Sequence, residues 1–342
     1  MRKYILYTLV LALIVTIGFG AKAVATSKKL YYNHGVGYMG LGKYPLAIKD
    51  FTQVISLDPK NAKAYFLRGI AYSKVGEYQR AVEDYNQAIL IDPKLTEIYY
   101  NRGLAYKHLG QHQQAIEDFN RAISLQPNDA YAYYNRGIVC SKLGQYQQAI
   151  EDFNKALDLD SKDADFYCER GIAYRDSDQP LHAMFDFNKA IHLNPMSASA
   201  YHNRGLNYRK LGEHQESIKD YDKAIRLDPK YVDAYIGRGV SYVFLGKYQK
   251  ALNDYDKAIN LDPKNDEAFY YRAELNYHNK LNKIKPGDTK AEVIHQAGPP
   301  DLIETLGEVM SGHGPSKEKW TYIGPSEDTV VAFRYGKVKK IY

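Results

Sequence analysis

His108 and His112 stand four residues apart, the spacing at which two imidazoles on one helix face hold a metal ion. Gly110 lies between them and marks a turn between helices, so the pair does not read as metal ligands. The ten histidines are otherwise scattered, and there is no GxSxG, HExxH, phosphate-cradling glycine loop or dinucleotide fingerprint. No enzyme activity, cofactor or metal is therefore expected. Cys140 and Cys168 lack a CxxC neighbour and fall in different registers of adjacent repeats, so their side chains should diverge. They read as two buried or half-buried thiols, with a disulfide as the alternative.

The chemistry that does recur is arginine with aspartate, and its spacing points to the elements that must carry it. Pro59, Pro93, Pro127, Pro195, Pro229 and Pro263 are spaced at 34 or 68 residues, which sets repeats beginning at residues 28, 62, 96, 130, 164, 198 and 232. Position 4 of every repeat is tyrosine, position 8 glycine, position 20 alanine or serine, and position 24 phenylalanine or tyrosine. Positions 4, 8 and 11 share one face of a first helix (A), and 20, 24, 27 and 28 one face of a second (B). Small residues at 8 and 20 let the helices approach while the aromatics fill the space beside them. Glycine at position 15, replaced once by Asp178, ends helix A, and the proline ends helix B. One such unit cannot bury its apolar face, so neighbours must stack.

This pattern resembles the tetratricopeptide repeat, a 34-residue helix–turn–helix unit. The resemblance covers residues 28–281, with 266–281 as a capping helix, and implies an all-α right-handed solenoid that binds polypeptides rather than transforming substrates. Arginine at position 7, from Arg68 to Arg272, and aspartate at position 23, from Asp50 to Asp254, go beyond the family pattern. Each arginine follows an aspartate by 18 residues, and repeat 1, with no helix before it, has His34 instead. The expectation is a ladder of salt bridges from helix B of one repeat to helix A of the next.

Helix A should line the binding groove through positions 2, 5, 9, 12 and 13, with 6 at its margin. The candidate peptide-binding residues are Tyr32, Phe66, Tyr100, Tyr134 and His202 at position 5, with Asn101, Asn135 and Asn203 at position 6. Lys107, Lys142, Arg175 and Arg209 form a basic border. Such a surface suits an extended peptide or partner helix carrying some acidic residues. The family's chaperone-clamp signature, with Lys at position 5 and Asn at position 9, is missing here, so that role is not expected.

The chain has 342 residues with a formal charge of +6, three charges of which come from Arg2, Lys3 and Lys22. The near-neutral remainder gives no electrostatic footprint for nucleic acid. Residues 1–25 read as a signal peptide: a basic start, an apolar run from Ile5 to Phe19, and Ala23-Val24-Ala25 before the cleavage point. An uncleaved anchor is the alternative and would be the sole membrane link. Either way the body is expected outside the cytoplasm, periplasmic or secreted.

After Lys283 the period stops. Thr289 and Glu292 form a capping box for a short helix over 291–297, and Glu318–Gly324 and Thr329–Tyr342 read as three strands. With Pro286, Gly287, Gly298, Pro300, Asp301, Trp320, Tyr322 and Gly336, residues 283–342 resemble the SmpA/OmlA (BamE-like) domain, a small α+β module that scaffolds outer-membrane barrel assembly. No lipidated cysteine is present, so only a protein-contact role carries over. The resulting expectation is an exported non-enzymatic scaffold. The alternative is an envelope assembly factor that acts through its C-terminal module on envelope assembly components, with the solenoid as a spacer.

Overall fold

A computed structural model of the chain describes residues 25–281 and, beyond them, 285, 292–293, 302–305, 317–322, 329–334 and 337–341. The expected signal segment and most of the loops after residue 281 lie outside the described residues. Two compact units divide between Gln179 and Pro180, inside repeat 5.

The first unit alternates A and B helices. The A helices are α1 (residues 25–40), α3 (Ala62–Lys74), α5 (Thr96–His108), α7 (Ala130–Lys142) and α9 (Ala164–Asp176). Between them run the B helices α2 (Tyr44–Leu57), α4 (Tyr78–Ile91), α6 (His112–Leu125) and α8 (Tyr146–Leu159). The second unit continues with α10 (Pro180–Leu193), α11 (Ala198–Lys210), α12 (His214–Leu227), α13 (Val232–Phe244), α14 (Tyr248–Leu261) and α15 (Asp266–Leu281). Among the described residues no helix is long and apolar enough to cross a membrane.

Local chemistry starts and stops each helix. Asn61, Asp129, Asp163 and Ser197 cap A helices by accepting backbone N–H bonds from the first turn. Helix A ends in the left-handed region, at φ of 71° for Gly110 and 63° for Asp178. The following residue then returns its N–H to the last turn, as from Gln111 to the Tyr106 carbonyl at 2.9 Å.

Glycine at position 8 is required by its neighbour. A Cβ on Gly103 would sit 2.9 Å from the Phe119 ring, and one on Gly239 only 2.5 Å from the Tyr255 ring. Those rings, with Phe51, Tyr85, Phe153, Phe187 and Tyr221, are fully buried and form the spine of the core. Burial of each stabilises its repeat by roughly 1.5–3 kcal/mol.

The ionic ladder does not run as its spacing suggested. Five of the arginines pair with the aspartate 16 residues after them, in helix B of the same repeat: Arg68 with Asp84, Arg102 with Asp118, Arg136 with Asp152, Arg204 with Asp220 and Arg238 with Asp254. Contact with the preceding repeat is made by the remaining guanidinium nitrogen, Nη1, which donates to position 25 there. Arg102 reaches Asn86 at 2.6 Å, and Arg238 reaches Asp222 at 2.6 Å. In the cap, Arg272 makes this second contact, to Asp256 at 3.0 Å, and among the described residues it has no aspartate partner of the first kind. A tyrosine at position 4 flanks the guanidinium, and in most repeats a second at position 11 does too, as Tyr99 and Tyr106 do Arg102.

Neither Cys140 nor Cys168 is in a disulfide, and both are buried. Burial, then the nearby Asp152 carboxylate, pushes the Cys140 thiol up to about 11, which makes it a poor nucleophile.

In the C-terminal part four strands pair antiparallel in the order β1 (Leu302–Thr305), β2 (Lys317–Tyr322), β3 (Thr329–Arg334) and β4 (Lys337–Ile341). Strand β1 is not among the three strands expected from the sequence. Trp320 pairs in register with Ile303 and Val331, and a bulge interrupts β3 and β4 at Ala332/Phe333. Val293 and Val338 are buried.

Candidate functional site

Helices A of successive repeats touch each other within each unit: α3 with α5, α5 with α7, and α7 with α9 in the first, then α11 with α13 and α13 with α15 in the second. No B–B pair packs comparably among the described residues. The A layer is therefore the crowded, inner side of the helix pairs, and its outward-facing side chains form each unit's inner face.

Position 5 does two jobs there. Tyr32, Phe66, Tyr100 and Tyr134 are half-buried, and each rests one side of its ring on the position 24 aromatic of its own repeat, as Tyr100 does on Phe119 at 6.0 Å. Tyr134 also packs on Phe166 at 4.7 Å. His202 is buried between Tyr221 and Tyr231. The tyrosines offer an open ring edge; His202 is part of the packing.

The structure gathers Tyr100, Lys107 and Asn135 into one polar group. Lys107 Nζ donates to Asn135 Oδ1 at 2.6 Å, and Asn135 Nδ2 donates to Tyr100 Oη at 3.2 Å and to the Tyr131 carbonyl at 2.9 Å. Burial, and then the Lys142 charge, holds the Lys107 amine below its ordinary value. Burial, with Asp129 nearby, pushes the Tyr100 phenol up to about 12. A half-buried ammonium linked through an amide to a tyrosine hydroxyl is suited to receive a carboxylate or backbone carbonyl.

The other candidates have contacts of their own. Asn101 and Asn203 each donate to a carbonyl one turn back on their own helix, Glu97 at 2.8 Å and Ser199 at 3.0 Å. Lys142 is exposed, and Arg175 pairs with Asp176 at 2.9 Å. In the second unit Arg209 lines a cleft of about 240 Å³ with His202, Leu206, Asp233, Ile236 and Glu267.

Glu169 was missed by sequence reasoning, although it stands at position 6 where four repeats have asparagine. Burial first, then Asp165, holds its carboxyl above the ordinary range, against the opposing charges of Lys107, Lys142 and Arg175. The only signal in the sequence was that break in pattern. His108 and His112 fall on α5 and α6 on opposite sides of the Gly110 turn, and the His108 ring stacks flat on Tyr78 at 4.5 Å.

The tetratricopeptide repeat profile matches residues 96–129, 130–163 and 232–265, and a second TPR repeat profile matches 37–76, 73–110 and 205–245. Together these cover more than half of the chain. The chain belongs to the tetratricopeptide repeat family. A tetratricopeptide repeat protein from Parabacteroides merdae ATCC 43184 is 22% identical with a TM-score of 0.62, over 73% of this chain and 98% of that one. MamA is 30% identical with a TM-score of 0.44, over 49% and 92% of the two chains. YrrB, described as a TPR protein with an unusual peptide-binding site, is 25% identical with a TM-score of 0.44, over 56% and 98%. Among curated proteins none matches. The tetratricopeptide assignment gives the 34-residue period its structural meaning and leaves the partner to the side chains of the inner face.

Proposed function

We propose that this protein is a non-enzymatic scaffold that holds a polypeptide partner against the inner face of its A helices. The Tyr100–Asn135–Lys107 group carries the reading. It presents a buried-edge ammonium, an amide and an aromatic edge on one surface, the combination that recognises an extended segment with an acidic side chain. Tyr134 and Lys142 on α7 extend that surface.

In the same reading the basic and apolar N-terminal segment exports the chain, and the body works outside the cytoplasm. The C-terminal residues, with their SmpA/OmlA-like motifs, supply a second protein contact. The antiparallel sheet order is compatible with such a module.

The test is affinity capture from a cell-envelope extract with three forms of the protein: wild type, Tyr100→Ala with Tyr134→Ala, and a deletion of residues 283–342. Loss of the captured partner with the double substitution, and its retention by the deletion, is the expected result. The reverse pattern would give the role to the C-terminal module and make the repeats a spacer.

A further inference from the structure

The inner face repeats the same inter-helix cleft in different chemistry. Between α3 and α5 a cleft of about 280 Å³ is lined by Ile70, Ser73, Lys74, Asn101, Leu104 and His108. In the same register between α13 and α15, an equal volume is lined by Val240, Val243, Phe244, Tyr271, Glu274 and Leu275. Positions 12 and 13, serine and lysine in the first cleft, have become valine and phenylalanine in the second. Phe244 is 66% exposed and stacks on His214 at 4.4 Å, so the cleft keeps an open aromatic wall.

The charge beside this apolar cleft also differs from the basic border around Lys107. At the other end of α13, Asp233 and Glu267 line the neighbouring cleft with Arg209. Across the two clefts three carboxylates (Asp233, Glu267 and Glu274) stand against one guanidinium. Asp233 and Phe244 are eleven residues apart on one helix, about 16 Å. An extended peptide covers that length in about five residues.

We infer that the second unit's inner face binds a polypeptide segment carrying a large apolar side chain and, about five residues along, a lysine or arginine. The apolar side chain enters the cleft between Val243, Phe244 and Leu275, and the cation meets Asp233 and Glu267. The inference rests on the proposed scaffold role and narrows it: the two units select for opposite charge.

The experiment measures fluorescence polarisation of labelled nonapeptides on the full chain. One peptide has leucine and, five residues on, lysine; a second has glutamate for that lysine; a third has serine for the leucine. The first should bind at least about tenfold more tightly than either of the others, the scale of one close charge pair or one buried anchor. Phe244→Lys, which restores the residue type of Lys74, and separately Asp233→Asn with Glu267→Gln, should each remove that preference, while Tyr100→Ala should leave it intact. Equal binding of the three peptides, or an unchanged preference in Phe244→Lys, overturns the inference. So does hydrogen exchange showing residues 240–244 already protected in the free chain by its own C-terminal part and unaffected by peptide. Each of these failures leaves envelope capture through Tyr100 and Tyr134 standing; loss of that capture result as well would sink the scaffold reading itself.

Discussion

Arg102 and Asp118 form a two-point ion pair, Nε to Oδ2 at 2.7 Å and Nη2 to Oδ1 at 2.6 Å, across the two helices of a single repeat. Asp118 is only 4% exposed, so its charge depends on that guanidinium. Removing one partner should cost about 3–5 kcal/mol, because the other charge is left buried. A double-mutant cycle on Arg102 and Asp118 by urea unfolding should show coupling above about 1 kcal/mol. The cycle on Asp118 and Arg136, which lie in neighbouring repeats, should show little.

Repeat 1 supplies the complementary case. His34 stands where the other repeats have arginine, and the buried Asp50 Oδ2 has no hydrogen-bond partner among the described residues. His34→Arg should raise stability by about 1 kcal/mol by supplying the missing donor. Thermal unfolding of the single variant measures this, and a fall in melting temperature would contradict it.

Glycine has two separable functions in each repeat. Gly103→Ala drives a methyl group into the Phe119 ring and should cost about 1–3 kcal/mol. Asp178 holds a positive φ that glycine adopts freely, so Asp178→Gly should stabilise by up to about 1 kcal/mol. Denaturant midpoints of the two variants should therefore move in opposite directions.

Glu169 should make stability depend on pH. Its carboxyl is held above the ordinary value near 4.5, chiefly by burial, so the folded chain binds that proton more tightly than the unfolded one. The penalty for its charge is absent below that ordinary value and grows as pH climbs through it to the folded value. Glu169→Gln should then be more stable than wild type at pH 7, with the difference fading toward pH 4. Melting temperatures across that range test the sign.

The helix pairs were legible because 34-residue periodicity carries both the Gly–aromatic contact and the turn glycine. The direction of the ionic ladder was not. In a 34-residue period every inner aspartate has one arginine 16 residues before it and another 18 after it, so spacing alone cannot choose between them. His34 favoured the wrong partner because a missing arginine in repeat 1 looked like a missing neighbour. Asn135 as the hub joining Lys107 to Tyr100 needs two helices brought side by side, which one helix's sequence does not record. Position 5 was ambiguous for a physical reason: one ring can serve core and surface at once, as Tyr100 does.

The second guanidinium contact has its own consequence. Its acceptor at position 25 is threonine at Thr52, asparagine at Asn86, Asn120, Asn154 and Asn188, and aspartate at Asp222 and Asp256. Neutral junctions thus give way to ionic ones toward α15, and concentrated electrolyte should weaken those last seams before the earlier ones. Fraying under salt would begin at α15, beside the Phe244 cleft, making ionic strength a dial on one end of the array.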